Sequence, residues 1–241
     1  MMYIKCCITA IAAIICVAVI LPDNSSESYP LVFDEVQHTL ASRSIPLGTT
    51  LEELQRGTES IVRGRIQNDA RMVWQFNNIL TPTVPTTGNN FVSLEILEVI
   101  QGDLRVGDVI TLAEPYFILD GVLITFGNYL PSIPYQEYFF FLDEQRTFPE
   151  PEEYYGIFWV SHCYRGRFHI PNSRADISRL RNNAENLLLA TTYISNVALD
   201  EARVTVNNVY MSLWQEVIEA YMDWSRPPVP SYMFQADNVS S

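Results

Sequence analysis

The sequence predicts a mainly β domain, a barrel or sandwich, followed by two C-terminal helices. Three observations carry that prediction. Over Phe91–Thr111 (FVSLEILEVIQGDLRVGDVIT), Val92, Leu94 and Ile96 alternate with Ser93 and Glu95, the period of a half-buried strand. Short strand-like runs then recur as far as Ile170 with Gly and Pro between them, as in barrels and sandwiches. At Pro171 the apolar period changes from two to that of a helix.

Residues 1–28 are a targeting segment. Met1–Lys5 carries the amino terminus and the only lysine of the chain, Cys6–Leu21 is an apolar run, and Pro22, Asp23 and Asn24 break it before the polar Ser25–Ser28. The run is longer than most signal-peptide cores and a little shorter than the ~20 residues that span hydrocarbon. Two readings stand: a signal peptide cut after Ser28, with Ser26 and Ser28 as the small residues before the cut, or an uncleaved anchor that contacts the membrane. Lipidation at Cys16 is disfavoured, because Ala13-Ile14-Ile15 lacks the small residue expected just before a lipidated cysteine. The positive end stays inside, so the body is exported: extracellular, or anchored to the outer face of the cytoplasmic membrane.

Residues 29–58 form a lead-in. Thr49 or Thr50 can cap a short helix over Leu51–Gln55, Glu52 and Glu53 suit its first turn, and Gly57 ends it. The barrel is expected over 59–171. Glu59–Ile66 reads as its first strand with a bend at Gly64, Arg71–Phe76 as a continuation, and Asn77–Asn90 as a loop. In the central hairpin, Leu97, Val99 and Ile100 break the alternation as a bulge would, and Gly102-Asp103 and Gly107-Asp108 turn the chain. Gly121–Phe126, Glu137–Leu142, Tyr154–Cys163 and Arg165–Ile170 come next as strands. Helices are expected over 172–226: a capping box at Ser173 and Asp176 opens a stripe through Ile177, Leu180, Ala184, Leu187, Leu188 and Thr191. A second stripe runs through Val206, Val209, Leu213, Val217, Tyr221 and Trp224, and Arg226-Pro227-Pro228 stops it. Residues 227–241 read as a disordered tail.

Composition narrows the function. With 48% hydrophobic and 12% aromatic residues in 241, the chain can build a core, and a net charge of -13 disfavours nucleic acid and anionic membrane faces. Cys6, Cys7 and Cys16 lie in the targeting segment, so Cys163 has no internal disulfide partner in the folded part. No Gly-rich phosphate loop, Ser-His-Asp set, metalloprotease helix or internal repeat appears, and no motif calls for a cofactor.

Three groups of residues invite a chemical reading. His162, Cys163 and His169 could make a thiolate nucleophile or a zinc site; as neighbours on a strand, however, His162 and Cys163 would face opposite ways. Asp143, Glu144, Glu150, Glu152 and Glu153 make an acidic stretch that could hydrolyse glycosides or hold calcium, although acidic loops are usually just solvated. Aromatics are dense from Tyr116 to Trp159. Tyr138, Phe139, Phe141 and Trp159 are the candidate binding surface, for an envelope glycan or a partner protein, unless the C-terminal helices cover that face.

Ile61-Val62-Arg63-Gly64-Arg65-Ile66, Leu97-Glu98-Val99-Ile100-Gln101-Gly102, Gly121-Val122-Leu123 and Glu137-Tyr138-Phe139-Phe140-Phe141-Leu142 together resemble the OB-like barrel of the netrin-like family, which includes the tissue inhibitors of metalloproteinases. They are also similar to exported proteins of Gram-positive bacteria with the same strand, Gly-Asp turn and aromatic strand. The resemblance covers the middle half of the chain and implies a barrel. It does not imply protease inhibition, because the family's amino-terminal cysteine and disulfide framework are missing. The expected function is that of an exported, non-catalytic interaction module for a protein or cell-envelope component; the alternative is a cysteine-dependent enzyme or metal protein centred on His162, Cys163 and His169.

Overall fold

The computed structural model describes residues 35–39, 49–76, 85–126, 129–144, 156–181 and 208–229. In chain order these form β1 (Glu35–Thr39), α1 (Leu51–Arg56), β2 (Ser60–Ile66), β3 (Arg71–Phe76), β4 (Pro85–Gln101) and β5 (Val109–Glu114). Next come β6 (Tyr116–Leu119), β7 (Val122–Phe126), β8 (Glu137–Glu144), β9 (Phe158–Val160), β10 (Arg167–His169), α2 (Arg174–Arg181) and α3 (Asn208–Tyr221). The expected targeting segment, residues 1–28, lies outside the described residues, and no helix among them is long and apolar enough to cross a membrane.

Strands β8, β2, β4, β5 and β9 pair in that order, and β9 pairs back onto β8, so five strands close into a barrel. Every pair in the ring is antiparallel except β5 with β9. β10 extends the ring beside β8, and β3 folds against the first half of β4. A second sheet has the order β1-β7-β6, with β1 parallel to β7.

Alternation decides which side chains fill the barrel. Val62, Val92, Leu94, Ile96, Leu112, Tyr138, Phe140 and Leu142 point inward and pack together. Ile61, Phe139, Phe141 and Phe168 point outward, where Leu54 of α1 and Leu213, Trp214 and Val217 of α3 cover them. Each such side chain contributes roughly 1.5–3 kcal/mol through burial. The phase break near Leu97 is present: Ile96 faces the barrel core, and three residues on it is Val99 that does so while Ile100 turns to the helices. Register shifts at Ile61/Val62 and Arg63/Gly64 on β2 match it. Gly64 is required there, because a Cβ would lie 2.6 Å from Leu94 Cδ1 and 3.1 Å from the Glu95 carbonyl oxygen.

Helix boundaries follow their caps. Thr50 Oγ1 accepts from the Glu53 N–H at 3.2 Å, and Ser173 Oγ accepts from the Asp176 N–H at 3.3 Å. α3 lies on the barrel and also meets α1, whose Gln55 Nε2 donates to Tyr221 Oη at 2.6 Å. The stripe expected beyond Arg181 and the connection before Asn208 lie outside the described residues.

Three expectations need correction. The loop expected over Asn77–Asn90 ends early: Arg71–Phe76 runs on from β2 along the same edge of β4, as expected, and pairs with Pro85–Phe91, so the latter part of that loop is strand. Tyr154–Cys163 is not one strand through its described part. β9 ends at Val160, and His162 is left-handed (φ 57) before a 3-10 turn over Cys163–Gly166. Gly166 presses so closely on the Ser161 carbonyl that no side chain fits between them. The first residues of the expected tail are also ordered: Pro228 is buried, and the Val229 N–H donates to Glu137 Oε1 at 3.1 Å.

Candidate functional site

The aromatic surface expected from the sequence is mostly core. Tyr138, Phe139 and Phe141 are fully buried. Tyr138 fills the barrel, while Phe139 and Phe141 make tilted and edge-on contacts with Tyr221 and Phe168. They therefore offer no surface, because α3 covers the outward face of β8. Trp159 alone of the four is half-buried; it packs near Phe91, Ala113 and Ile157, and its buried indole N–H has no hydrogen-bond partner among the described residues.

The two histidines are held apart. The His162 ring rests on Gly57, at the end of α1, 3.0 Å from where a Cβ would stand, and neighbouring Ser161 donates its N–H to Phe141. His169 pairs with Tyr138, three residues away along β8, or about 10 Å at ~3.3 Å per residue. Its ring is buried edge-on against Tyr138, and its carbonyl accepts from Trp214 Nε1 at 2.8 Å. Burial, with help from Arg167 and Arg179, lowers its pKa to about 3, so the imidazole is neutral. The Cys163 side chain lies outside the described residues. Among those described, no three His, Cys, Asp or Glu side chains converge as metal ligands would. Of the acidic stretch, residues 145–155 lie outside the described chain, and Asp143 is spent on structure, accepting from the Glu59 N–H at 3.2 Å and Ser161 Oγ at 2.5 Å.

What the sequence did not single out is the polar end of the barrel. Ile110, Leu112 and Glu114 share the inward face of β5, so alternation drives a carboxylate into the interior, where Glu114 is 1% exposed. The segment Tyr129–Gln136 crosses this end, tied to β2 by the Tyr135 N–H donating to the Ile66 carbonyl at 2.7 Å. Glu114 Oε1 accepts from Tyr129 Oη at 2.8 Å, from the Ser132 N–H at 3.1 Å and from Ser132 Oγ. Arg167 stands 3.5 Å from the same oxygen. Its guanidinium donates to the Leu130 carbonyl at 2.8 Å and Ser132 Oγ at 2.5 Å, and lies over the Tyr129 and Tyr138 rings. Burial raises the Tyr129 and Tyr138 phenols above their ordinary range, so both stay protonated.

Beside this network opens a cleft of about 440 Å³. Its apolar wall includes Met72, Val92, Tyr116 and Ile118, and its polar groups include Gln67, Asn68, Asn90 and Glu114. Asn90 Nδ2 donates to Tyr116 Oη at 2.7 Å, which fixes that corner. A mainly apolar concavity with a few fixed polar groups is the usual form of a ligand site, and the volume lies in the ordinary range. The signal in the sequence was a single acid, Glu114, ending an inward-facing apolar series. No family model matches the chain, and neither a curated protein nor a solved structure does.

Proposed function

We propose that the chain is an exported, non-catalytic binding module whose barrel is OB-like and whose ligand, a cell-envelope component or a segment of a partner protein, enters the cleft beside Glu114. The observation that carries the proposal is the cleft itself, an opening of about 440 Å³ with a buried carboxylate in its wall. The OB-like reading is supported by the ring of five strands, in which the chain's third and fifth barrel strands form the one parallel pair. The non-catalytic reading is supported by the polar groups at the barrel end: Glu114 and Arg167 are engaged with each other and with Ser132 and Tyr129, an arrangement that fixes structure.

Hydrogen exchange of the full-length chain, with and without solubilised envelope fragments, tests the proposal. Protection is expected at Ile66–Met72, Asn90–Val92 and Glu114–Ile118, and Met72→Trp, which fills the cleft from a half-buried position, abolishes it. Protection confined to other surfaces would sink the assignment.

A further inference from the structure

Given the cleft as the ligand site proposed above, we infer that it selects an organic cation, an ammonium head on an apolar stem, with Glu114 Oε2 as the group that recognises the head. All four interactions of the Glu114 carboxylate fall on Oε1: the Tyr129 hydroxyl, both donors of Ser132, and Arg167. Oε2 takes no hydrogen bond from any described residue, and it is not among the buried side-chain atoms that lack a partner, so it reaches the cleft that Glu114 lines.

A carboxylate oxygen can only accept, and leaving one unmatched in a low-dielectric wall is costly unless a donor arrives. Arg167 lies behind the carboxylate, outside the cleft lining, so among the described residues Glu114 is the one charged group that an incoming ligand meets. The other polar side chains of the lining, Gln67, Asn68, Asn90, Tyr116 and Ser132, are neutral, and Met72, Val92 and Ile118 suit an apolar stem. The net charge of -13 adds a long-range field of the same sign. An anionic head would bring like charge against Oε2, and a neutral hydroxyl would gain a weaker hydrogen bond than a charged donor does.

The experiment is calorimetric titration of the full-length chain with three probes of equal length, hexylamine, hexan-1-ol and hexanoate, and with Nα-acetyl-lysine methylamide. Hexylamine binds at least about tenfold tighter than hexanol, since its ammonium adds a charge–charge attraction to the hydrogen bond that either head gives the carboxylate, and hexanoate binds weakest. Glu114→Gln removes the preference for amine over alcohol and leaves hexanol affinity in place. Should Glu114→Gln fail to fold by circular dichroism, the ratio in the unaltered protein decides alone. Tighter binding of the lysine derivative than of hexylamine assigns the cation to a partner's lysine side chain; the reverse assigns it to a free amine. Equal affinities for amine and alcohol, or a preference that survives in folded Glu114→Gln, overturn the cation selectivity while leaving the cleft as a binding site. No binding of any probe overturns both.

Discussion

At the scale of single residues, the barrel end is held by charges that have nowhere else to go. Removing one partner from a buried pair strands the other in low dielectric, which typically costs about 3–5 kcal/mol. Arg167→Ala is therefore expected to lower the unfolding free energy by about that amount, read from urea denaturation, because Glu114, Ser132 and the Leu130 carbonyl all lose their cation. A loss below about 1 kcal/mol would show the pair to be peripheral. His169 makes a pH prediction. Its pKa falls from 6.5 to about 3 on folding, chiefly through burial, so the fold prefers the neutral ring. Above pH 6.5 both states are neutral and nothing is lost. As pH falls below 6.5 the unfolded chain takes up a proton that the folded one refuses, and stability drops by ~1.4 kcal/mol per pH unit until about pH 3. His169→Phe should flatten that slope between pH 6.5 and 5 relative to the unaltered chain. An unchanged slope would place the acid sensitivity elsewhere.

At the scale of elements, α3 and the chain after it turn the outer face of β8 into core. Phe141→Ala is expected to cost about 3–5 kcal/mol, as for a buried ring truncated against Phe168 and Tyr221, whereas a surface aromatic would cost about 0.5 kcal/mol or less. The strap Arg226–Val229 is fastened by a second buried network. Arg63 grips Glu137 at 2.7 Å and 2.9 Å and donates to the Arg226 carbonyl at 2.9 Å, while Glu137 also takes the Val229 N–H. Glu137→Ala should release amides near Val229 to fast hydrogen exchange as well as destabilise the barrel; protection that persists there would mean packing of Pro228 alone holds the strap. These contacts mark the limit of legibility in the sequence. Strands β2, β4, β7 and β8, both helix caps and the phase break near Leu97 could be read from alternation, turn residues and capping pairs, all local signals. What Phe139–Phe141 would meet could not, because alternation places a side chain on a face without saying what covers it. The continuation of β2 into β3 was legible as well; the strand over Pro85–Asn90 was not, because its proline, glycine and asparagines signal a loop and pairing with β3 extends it. Glu114 and Arg167 are 53 positions apart, and only closure of the barrel brings them together.

At the scale of the whole molecule, the acidic body and the apolar amino-terminal run lead to one expectation about place. A net charge of -13 with a single lysine, Lys5, puts the only lysine charge before the apolar run and leaves an acidic body that is expected to be repelled by anionic lipid faces and by nucleic acid. Positive charge before an apolar segment is retained on the cytoplasmic side, so the chain beyond that segment is expected to be carried across. Residues 1–28 fused to a reporter that is active only outside the cytoplasm should therefore give activity, and replacing Ile14, Ile15 and Val17 by Asp should abolish it, since a charge at the centre of an apolar segment costs about 2.5–3.5 kcal/mol in membrane insertion. Fractionation of the full-length chain separates the two modes. A soluble product shortened by 28 residues means cleavage after Ser28, and a membrane-bound product of full length means an anchor. A reporter that stays inactive would remove the export reading, and with it the case for an envelope ligand, while leaving the cleft beside Glu114 to be tested on its own terms.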